Sequence, residues 1–545
     1  MNSLSPSTIP EALAGAAQED VGGFRFHLDE GPVSLSFPEL AERAERGARR
    51  LVARGVQPGD VVGVLGPNRP EWLVWAYAAW AMGAAVTPVQ IPLRIRQPEA
   101  FAEQLRKLVQ TAGCKLVLAD PRLAALLPDG VGVPWEERGD ESEEAPDPPT
   151  PESTALIQFT SGSTARPKGV VVPHAAAIAQ LRLLYQHYYE ENADSRTLVG
   201  WVPFFHDLGL VSNAILTSYA HASAELLPTE RFARDPVEWL RVIERTGGHG
   251  TLAPSSAFGS TIRAAEHRGE RIDIGSLIVA HFAAEGVDPE VAQRMADVGT
   301  RKYGLRPDAL GSTYGLAEAV LGVSYTEMGA GMRIDRVSLD ELREGVAAPA
   351  NGGPARQIVS CGKPVMELRI AGTELAELPE REVGEILLRG PSLAKGYLGD
   401  DVPDPFVDGW LRTGDLGYLA DGELFVAGRA KDMVIAMGQN YYPEDFEWAA
   451  GRVAGVRAGR CVAFAEPGTE KVVVLVEPSD ADADAATLRR EVNRCVRDAV
   501  GVAAGEVLVL PPGTVEKTTS GKLRRAAMRD SYVEGGLASA GGSGA

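Results

Sequence analysis

Cysteine is scarce. The 545 residues hold four (Cys114, Cys361, Cys461, Cys495), widely scattered and forming no CxxC pair. That excludes a disulfide framework, argues against a thiolate metal site, and suits a reducing compartment, so a cytoplasmic location is expected. Basic residues are outnumbered, 54 against 74 acidic, for a net charge of −20. Such a chain repels phosphate backbones, so nucleic acid is not expected as a partner. Met1 to Asp20 offers no basic segment followed by an apolar core, and no signal peptide is expected there. Long apolar runs are also lacking. Trp72 to Leu93 carries no charge and is long enough to span a bilayer, but Gly83, Thr87, Pro88, Gln90 and Pro92 interrupt it. The better reading is a buried helix, Glu71–Met82, followed by a strand, Ala84–Pro88, with no membrane span. The 60 Gly and 37 Pro follow no period, which excludes a collagen-like chain. With 45% apolar and 23% charged residues, the composition is that of a folded globular protein.

The length implies two to four units, one of them large. A helix Phe37–Arg54, a strand Val61–Leu65 and the helix and strand just described give the βαβ rhythm of a parallel sheet. Glu136 to Glu152, rich in acid and Pro, reads as a surface loop, and βαβ alternation resumes at Ala155. From about Glu382 the texture changes to short strands, GEILLRG and GELFVAG, the mark of a small antiparallel unit. Residues 461–510 read as a compact α+β unit with strands Val462–Ala465 and Val472–Val476. Its helix should bury Leu488, Val492, Cys495, Val496 and Ala499 and turn Arg489, Asn493, Arg494 and Arg497 outward. Gly535–Ala545 is a Gly/Ser/Ala tail.

Chemistry enters with LIQF (156–159), a buried strand running into TSGSTARPKG. Thr160, Ser161, Ser163 and Thr164 supply hydroxyls, Gly162 allows a tight turn, and Lys168 adds charge. Hydroxyls and free backbone N–H groups at a strand end can cradle phosphate oxygens. The alternative is a solvated Ser/Thr turn. A Walker A loop is excluded, because Pro167 stands before Lys168. GSTYG (311–315) is not a nucleophile elbow, because Thr313 stands where Ser is required.

This loop resembles the phosphate loop of the adenylate-forming superfamily, which includes acyl-CoA synthetases, fatty acyl-AMP ligases, peptide-synthetase adenylation domains and luciferases. Ala165 replaces the usual Gly. Further segments resemble the family's motifs in order: GWVPFFHDLGL (200–210), FAAEGVD (282–288), STYGLAEA (312–319), TGDLGYLADGELFVAGRAKD (413–432), GQNYYPEDFE (438–447) and TTSGKLRR (518–525). The resemblance covers about residues 35–530. It is nearest the fatty acyl-AMP ligase branch, through Ala317, the WxPxxHDxGL form and a spacing of about forty residues between Glu318 and IVSCGKP. The FAAEGVD segment departs from the family pattern at Ala283 and Gly286.

The resemblance implies a large N-terminal domain of βαβ-type sheets with a small β-barrel-like unit (1–427), a small mobile α+β C-terminal domain (428–535) and a flexible tail (536–545). It implies that ATP is held by Thr160, Ser161, Gly162, Ser163, Thr164 and Lys168 at its phosphates. Ala284, Glu285, Tyr314 and Gly315 would lie at adenine, and Asp415 and Arg429 at ribose or phosphate. Glu318 would bind Mg²⁺, His206 would gate the acyl pocket, Lys431 would be the hinge, and Lys522 would clamp carboxylate and α-phosphate. Without the family, Asp415 reads as a turn residue and GRAKD as a solvated turn. The implied reaction takes a hydrophobic or fatty-type carboxylic acid and ATP to acyl-AMP and pyrophosphate. Acyl transfer to a phosphopantetheine thiol follows, on an acyl carrier protein or CoA, as in lipid or secondary-metabolite biosynthesis. The first alternative is an acyl-AMP-binding ligase that performs only the thioester step; a non-catalytic binder and a hydrolase are weaker.

Overall fold

The computed structural model describes residues 6–92, 95, 97–136, 139–160, 168–190, 196–399, 402–480, 482–517 and 523–537. Two large sheets organise most of these. In the six-stranded sheet, Val61–Leu65 lies between parallel partners Ala85–Pro88 and Cys114–Ala119, and Thr154–Thr160 pairs antiparallel with the edge strand Lys168–Pro173. Val62, Val64 and Leu65 are fully buried, as expected for a parallel strand covered on both faces. The second sheet has nine strands. Its centre is parallel and runs Leu310–Gly315, Val279–Phe282, Gly250–Ala253, Thr197–Gly200, Ser223–Leu226 and Gly23–Leu28; antiparallel strands close both edges. The expected βαβ architecture is present.

The uncharged stretch after Trp72 shows why its apolar run is not a membrane span. The helix Pro70–Ala81 is buried on every side. The Trp75 indole donates to the Trp135 carbonyl at 2.8 Å and Trp80 to the Ala155 carbonyl at 2.7 Å. Polar tips satisfied by protein backbone belong to a core helix. The helix Phe37–Ala53 packs on it through Gly47, where an added Cβ would lie 2.8 Å from the Ala78 methyl. Among the described residues, no helix is long and apolar enough to cross a membrane.

The short-strand texture after Glu382 is a five-stranded antiparallel sheet containing Gly384–Arg389, Trp410–Ala420 and Glu423–Arg429. Beyond Val434 the chain builds its own core around a three-stranded sheet, Val456–Ala465, Val472–Pro478 and Glu506–Val509. Strand alternation divides that core: Val472, Val474 and Val476 face one apolar cluster, and Val473 and Leu475 the other. The first strand begins at Val456, six residues before the expected start. The helix Ala485–Val500 buries Leu488, Val492, Val496 and Val500. The expectation for Ala499 fails: it is exposed, because the helix continues to Val500, which completes a strict i+4 stripe and turns Ala499 outward. Cys495 is half-buried, its thiol donating to the Ala449 carbonyl at 3.2 Å. Gly501, at φ 81°, ends the helix in the left-handed conformation that glycine accepts.

Candidate functional site

A cavity of about 1220 Å³ opens where the nine-stranded sheet, the five-stranded sheet and the C-terminal module meet. His206, Ala284, Glu285, Tyr314, Gly315, Glu318, Asp415 and Arg429 all line it. They span more than two hundred positions of sequence. Lys431 is exposed on the turn Ala430–Asp432 and is not part of the lining. Ser161, Gly162, Ser163, Thr164, Ala165 and Lys522 lie outside the described residues. Thr160 ends its strand opposite Lys168 in the antiparallel register.

Asp415 is the most constrained of these side chains. It sits within the strand Trp410–Ala420, beside a register shift, and is not a turn residue. One carboxylate oxygen pairs with the Arg429 Nε at 2.8 Å; the other accepts from the Tyr314 hydroxyl at 2.7 Å. Burial, and then the Asp415 charge, push the Tyr314 phenol well above its ordinary range, so it remains a donor. The Asp415 charge raises Arg429 against the opposing effect of burial. Three side chains from two sheets thus form one neutralised cluster.

The Tyr314–Glu318 segment turns sharply. An added Cβ at Gly315 would lie 1.9 Å from the Leu321 carbonyl oxygen, so only glycine fits. The Leu316 N–H donates to that same carbonyl at 2.8 Å. Glu318 follows in the turn Ala317–Ala319, and its Oε1 accepts from the Tyr397 hydroxyl at 2.7 Å. The Lys168 ammonium lies 4.5 Å from the Tyr397 ring centre. Lys168 therefore reaches the Glu318 neighbourhood without lining the cavity itself.

At the end of the strand Val279–Phe282, Ala284 adopts φ 69°, a left-handed conformation costly for a residue with a Cβ. The turn delivers Glu285, whose Oε1 accepts from the Ser256 backbone N–H at 2.6 Å. A carboxylate at the start of the helix Ser255–Arg268 complements its positive end. Glu285 is thus a helix-capping group as well as a cavity wall.

His206 lies in a turn held by both large sheets. Asn68 clamps the preceding residues, donating to the Val202 carbonyl and accepting from the Phe204 N–H at 3.0 and 2.9 Å. Gln158 donates to the Phe205 carbonyl at 2.9 Å. The His206 Nδ1 stands 2.5 Å from Asp207 Oδ1. An added Cβ at Gly209 would come 2.2 Å from the Pro203 carbonyl oxygen, which explains the glycine of HDLGL. The following residues Leu208–Ile215 are π-helical, a form associated with functional sites. Beyond His206 the wall is apolar: Trp201 stacks on Phe232 with ring centres 3.6 Å apart, beside Phe205 and Leu252.

The C-terminal module closes the cavity with Glu447, Arg452, Lys517 and Arg525. Arg525 makes two 2.7 Å bonds to the Glu447 carboxylate and one to Glu444, and lies 3.6 Å from Asp432. Burial lowers the Lys517 ammonium pKa; at Lys431, exposed by surface area, partial desolvation by nearby protein and then repulsion from Arg429 lower it. Sequence reasoning missed Tyr397, Lys517 and the role of Arg525. Only Arg525 had a signal, its place in KLRR; Tyr397 stands in a segment, PSLAKGYL, that no motif flagged.

Two open sheets, a small antiparallel sheet and an α+β module around one cavity define an adenylate-forming ligase. A family profile described as AMP-binding enzyme matches residues 17–398, and the chain belongs to that family. Rv1013 of Mycobacterium tuberculosis is 36% identical, covering 91% of this chain and 94% of its own. The long-chain-fatty-acid–AMP ligase FadD26 of Mycobacterium marinum is 31% identical, with 92% of both chains covered. A solved structure from a study of fatty acyl-adenylate ligases of E. coli and L. pneumophila superposes with a TM-score of 0.89 at 29% identity, covering 97% of this chain and 98% of that one.

Proposed function

We propose that this ligase activates a hydrophobic, fatty-type carboxylic acid as its acyl-AMP and passes the acyl group to a phosphopantetheine thiol. The observation that carries the reading is the convergence of His206, Tyr314, Glu318, Asp415 and Arg429 on one cavity. A carboxylate is a poor electrophile, because its leaving group is poor. Attack of its oxygen on the α-phosphate of ATP expels pyrophosphate and leaves AMP as the later leaving group. Such phosphoryl chemistry needs positioning and charge neutralisation more than covalent help.

In this reading Asp415, already an acceptor of two hydrogen bonds, receives the ribose hydroxyls, and the Tyr314 ring lies on the adenine. Thr160 to Thr164 and Lys168 hold the β- and γ-phosphates. Glu318 suits Mg²⁺, which takes one or two carboxylates and fills its remaining positions from phosphates and water. Among the described residues no cluster of three acidic, His or Cys groups offers an all-protein cage. The metal supplies charge neutralisation at the phosphates. Lys522 holds carboxylate and α-phosphate at attack distance. The stacked Trp201 and Phe232 favour an apolar acid tail, and His206 stands at its entrance.

The same reading divides the chain into 1–427, 428–535 and a tail, 536–545, with Lys431 as the hinge. Rotation there removes Lys522 and brings 438–447 to the site for thiol attack. The acceptor is a carrier protein or CoA, and the location is cytoplasmic. The thioester-only alternative is not favoured, since FadD26 is named for AMP ligation. ATP–pyrophosphate exchange over a panel of acids, with mass spectrometry of the adenylates formed, is the test. Absence of exchange with every acid, alongside thioester formation from supplied acyl-AMP, would favour the alternative.

A further inference from the structure

We propose that Tyr397 is a positioning residue for adenylation, holding Glu318 and Lys168 in register through a strap that joins three sheets. The proposal rests on the reading of Glu318 as the metal carboxylate and Lys168 as a phosphate cation. These two groups come from different sheets: Lys168 begins the edge strand of the six-stranded sheet, and Glu318 follows a strand of the nine-stranded one. Among the described residues, the segment Ala394–Leu398, which follows the five-stranded sheet's strand Gly384–Arg389, bonds to both sides.

Its backbone bonds both sides. The Ala394 N–H donates to the Glu318 carbonyl at 2.8 Å. Lys395 N–H to Val171 O, Val171 N–H to Gly396 O, and Leu398 N–H to Gly169 O follow at 2.8, 3.0 and 2.7 Å. Tyr397 thereby stands opposite Val170 in an antiparallel bridge. Its side chain completes the link, with the hydroxyl on Glu318 Oε1 at 2.7 Å and the ring 4.5 Å from the Lys168 ammonium. An ionised carboxylate can only accept, so the hydroxyl is the donor. One carboxylate oxygen is thus held by the tyrosine; among the described residues the other has no hydrogen-bond partner. A hydrogen-bonded partner behind a metal carboxylate fixes its orientation, and the ring face attracts the lysine.

Tyr397→Phe removes the hydroxyl and keeps the ring; Tyr397→Ala removes both. Two readouts apply to the full chain: the Mg²⁺ midpoint of ATP–pyrophosphate exchange, and ATP binding by calorimetry with and without Mg²⁺. Glu318→Gln is the control for the metal reading, and thermal melting checks that each variant folds. The expected result for Tyr397→Phe is a Mg²⁺ midpoint raised about tenfold, with ATP binding in the absence of Mg²⁺ retained. Tyr397→Ala should also weaken metal-free ATP binding, because Lys168 loses its platform. If Glu318→Gln shifts the midpoint and Tyr397→Phe does not, the tyrosine only packs and the proposal falls alone. If neither shifts it, the reading of Glu318 falls and takes the proposal with it.

Discussion

The two parts of the chain that meet at the cavity are tied together by opposite means. On the large side, site residues are cross-linked to one another. Asp415 has both oxygens engaged, by Arg429 and Tyr314, and Glu318 is held by Tyr397. The module beyond Val434 has an apolar core of its own; it attaches through Tyr442, which is buried in an apolar cluster with Val337, Leu342 and Ala427 of the large part, and through a few polar contacts. Arg356 pairs with Asp445 at 2.7 Å and lies 4.2 Å over the Tyr442 ring; Arg343 donates to the Val500 carbonyl at 2.6 Å; Arg452 pairs with Glu290 at 2.9 Å. The cavity side chains of the large part are thus bonded to one another, whereas the module is joined by a few ion pairs and one buried ring, contacts that the proposed rotation at Lys431 would have to exchange.

The largest expected effect tests that attachment. Arg356 and Asp445 are almost wholly buried, and burial raises the Asp445 carboxyl even with Arg356 beside it. Arg356→Ala leaves a buried acid unpaired and also removes a bond to the Ala427 carbonyl, made at 3.0 Å. Breaking one partner of a buried pair costs about 3–5 kcal/mol. The expected outcome is faster limited proteolysis at 427–434, with the module's own melting unchanged. Equal loss of both parts' stability would mean that they form one cooperative unit.

Next in size is Lys522→Ala. Removing one charge preorganised for a transition state costs on the order of 3 kcal/mol, about a hundredfold in rate. Pyrophosphate exchange should carry the whole loss, and thioester formation from synthetic acyl-AMP should survive. An equal fall in both half-reactions would remove the distinction between a fixed site and a moving module.

The third separates the two parts by pH. All eight histidines precede Phe282, so the module has none. Burial lowers His174 to about 4 and His281 to about 3, from 6.5. Both are neutral in the folded chain, and the unfolded chain binds protons first. Their stabilising contribution is therefore complete above pH 6.5 and declines as pH falls toward 4. Between pH 6.5 and 5 each accounts for about 1–2 kcal/mol of lost stability. Melting of the large part should fall in this window more than that of the module. His174→Asn, which can still accept from the Ile9 N–H, should flatten the dependence; an unchanged slope would remove His174 as its cause.

Sequence periodicity exposed the βαβ sheets because buried parallel strands such as Val61–Leu65 are apolar throughout. The motifs located His206, Tyr314, Glu318, Asp415 and Arg429 because their chemistry requires particular residue types near glycines such as Gly315. What stayed hidden was pairing at long range. Tyr397 matters through Glu318, seventy-nine positions away, and Arg356 through Asp445. A single tyrosine or arginine has no periodicity, and its partner is known only once the sheets are assembled. Glu285 was legible, through the family resemblance, as a residue of the site, and it lines the cavity, but it was not legible as the cap of the helix Ser255–Arg268, because that bond depends on where two loops meet.

The smallest expected effect concerns the phosphate loop. Ala165 stands where relatives of the superfamily carry Gly, between a strand ending at Thr160 and one beginning at Lys168. Those two residues are opposite each other in an antiparallel pair. If backbone at 165 must approach phosphate or take positive φ, a Cβ is unfavourable there by up to about 1 kcal/mol. Replacing it with Gly removes that penalty but adds chain entropy in the free enzyme. The two terms oppose each other, so the net change is small. Ala165→Gly should leave the adenylation rate unchanged or raise it up to about fivefold. Thioester formation from supplied acyl-AMP should not change, since the β- and γ-phosphates have already left. The measurement is pyrophosphate exchange against ATP concentration, with the thioester half-reaction alongside. A tenfold loss of exchange would show that the Cβ of Ala165 is a working part of this loop.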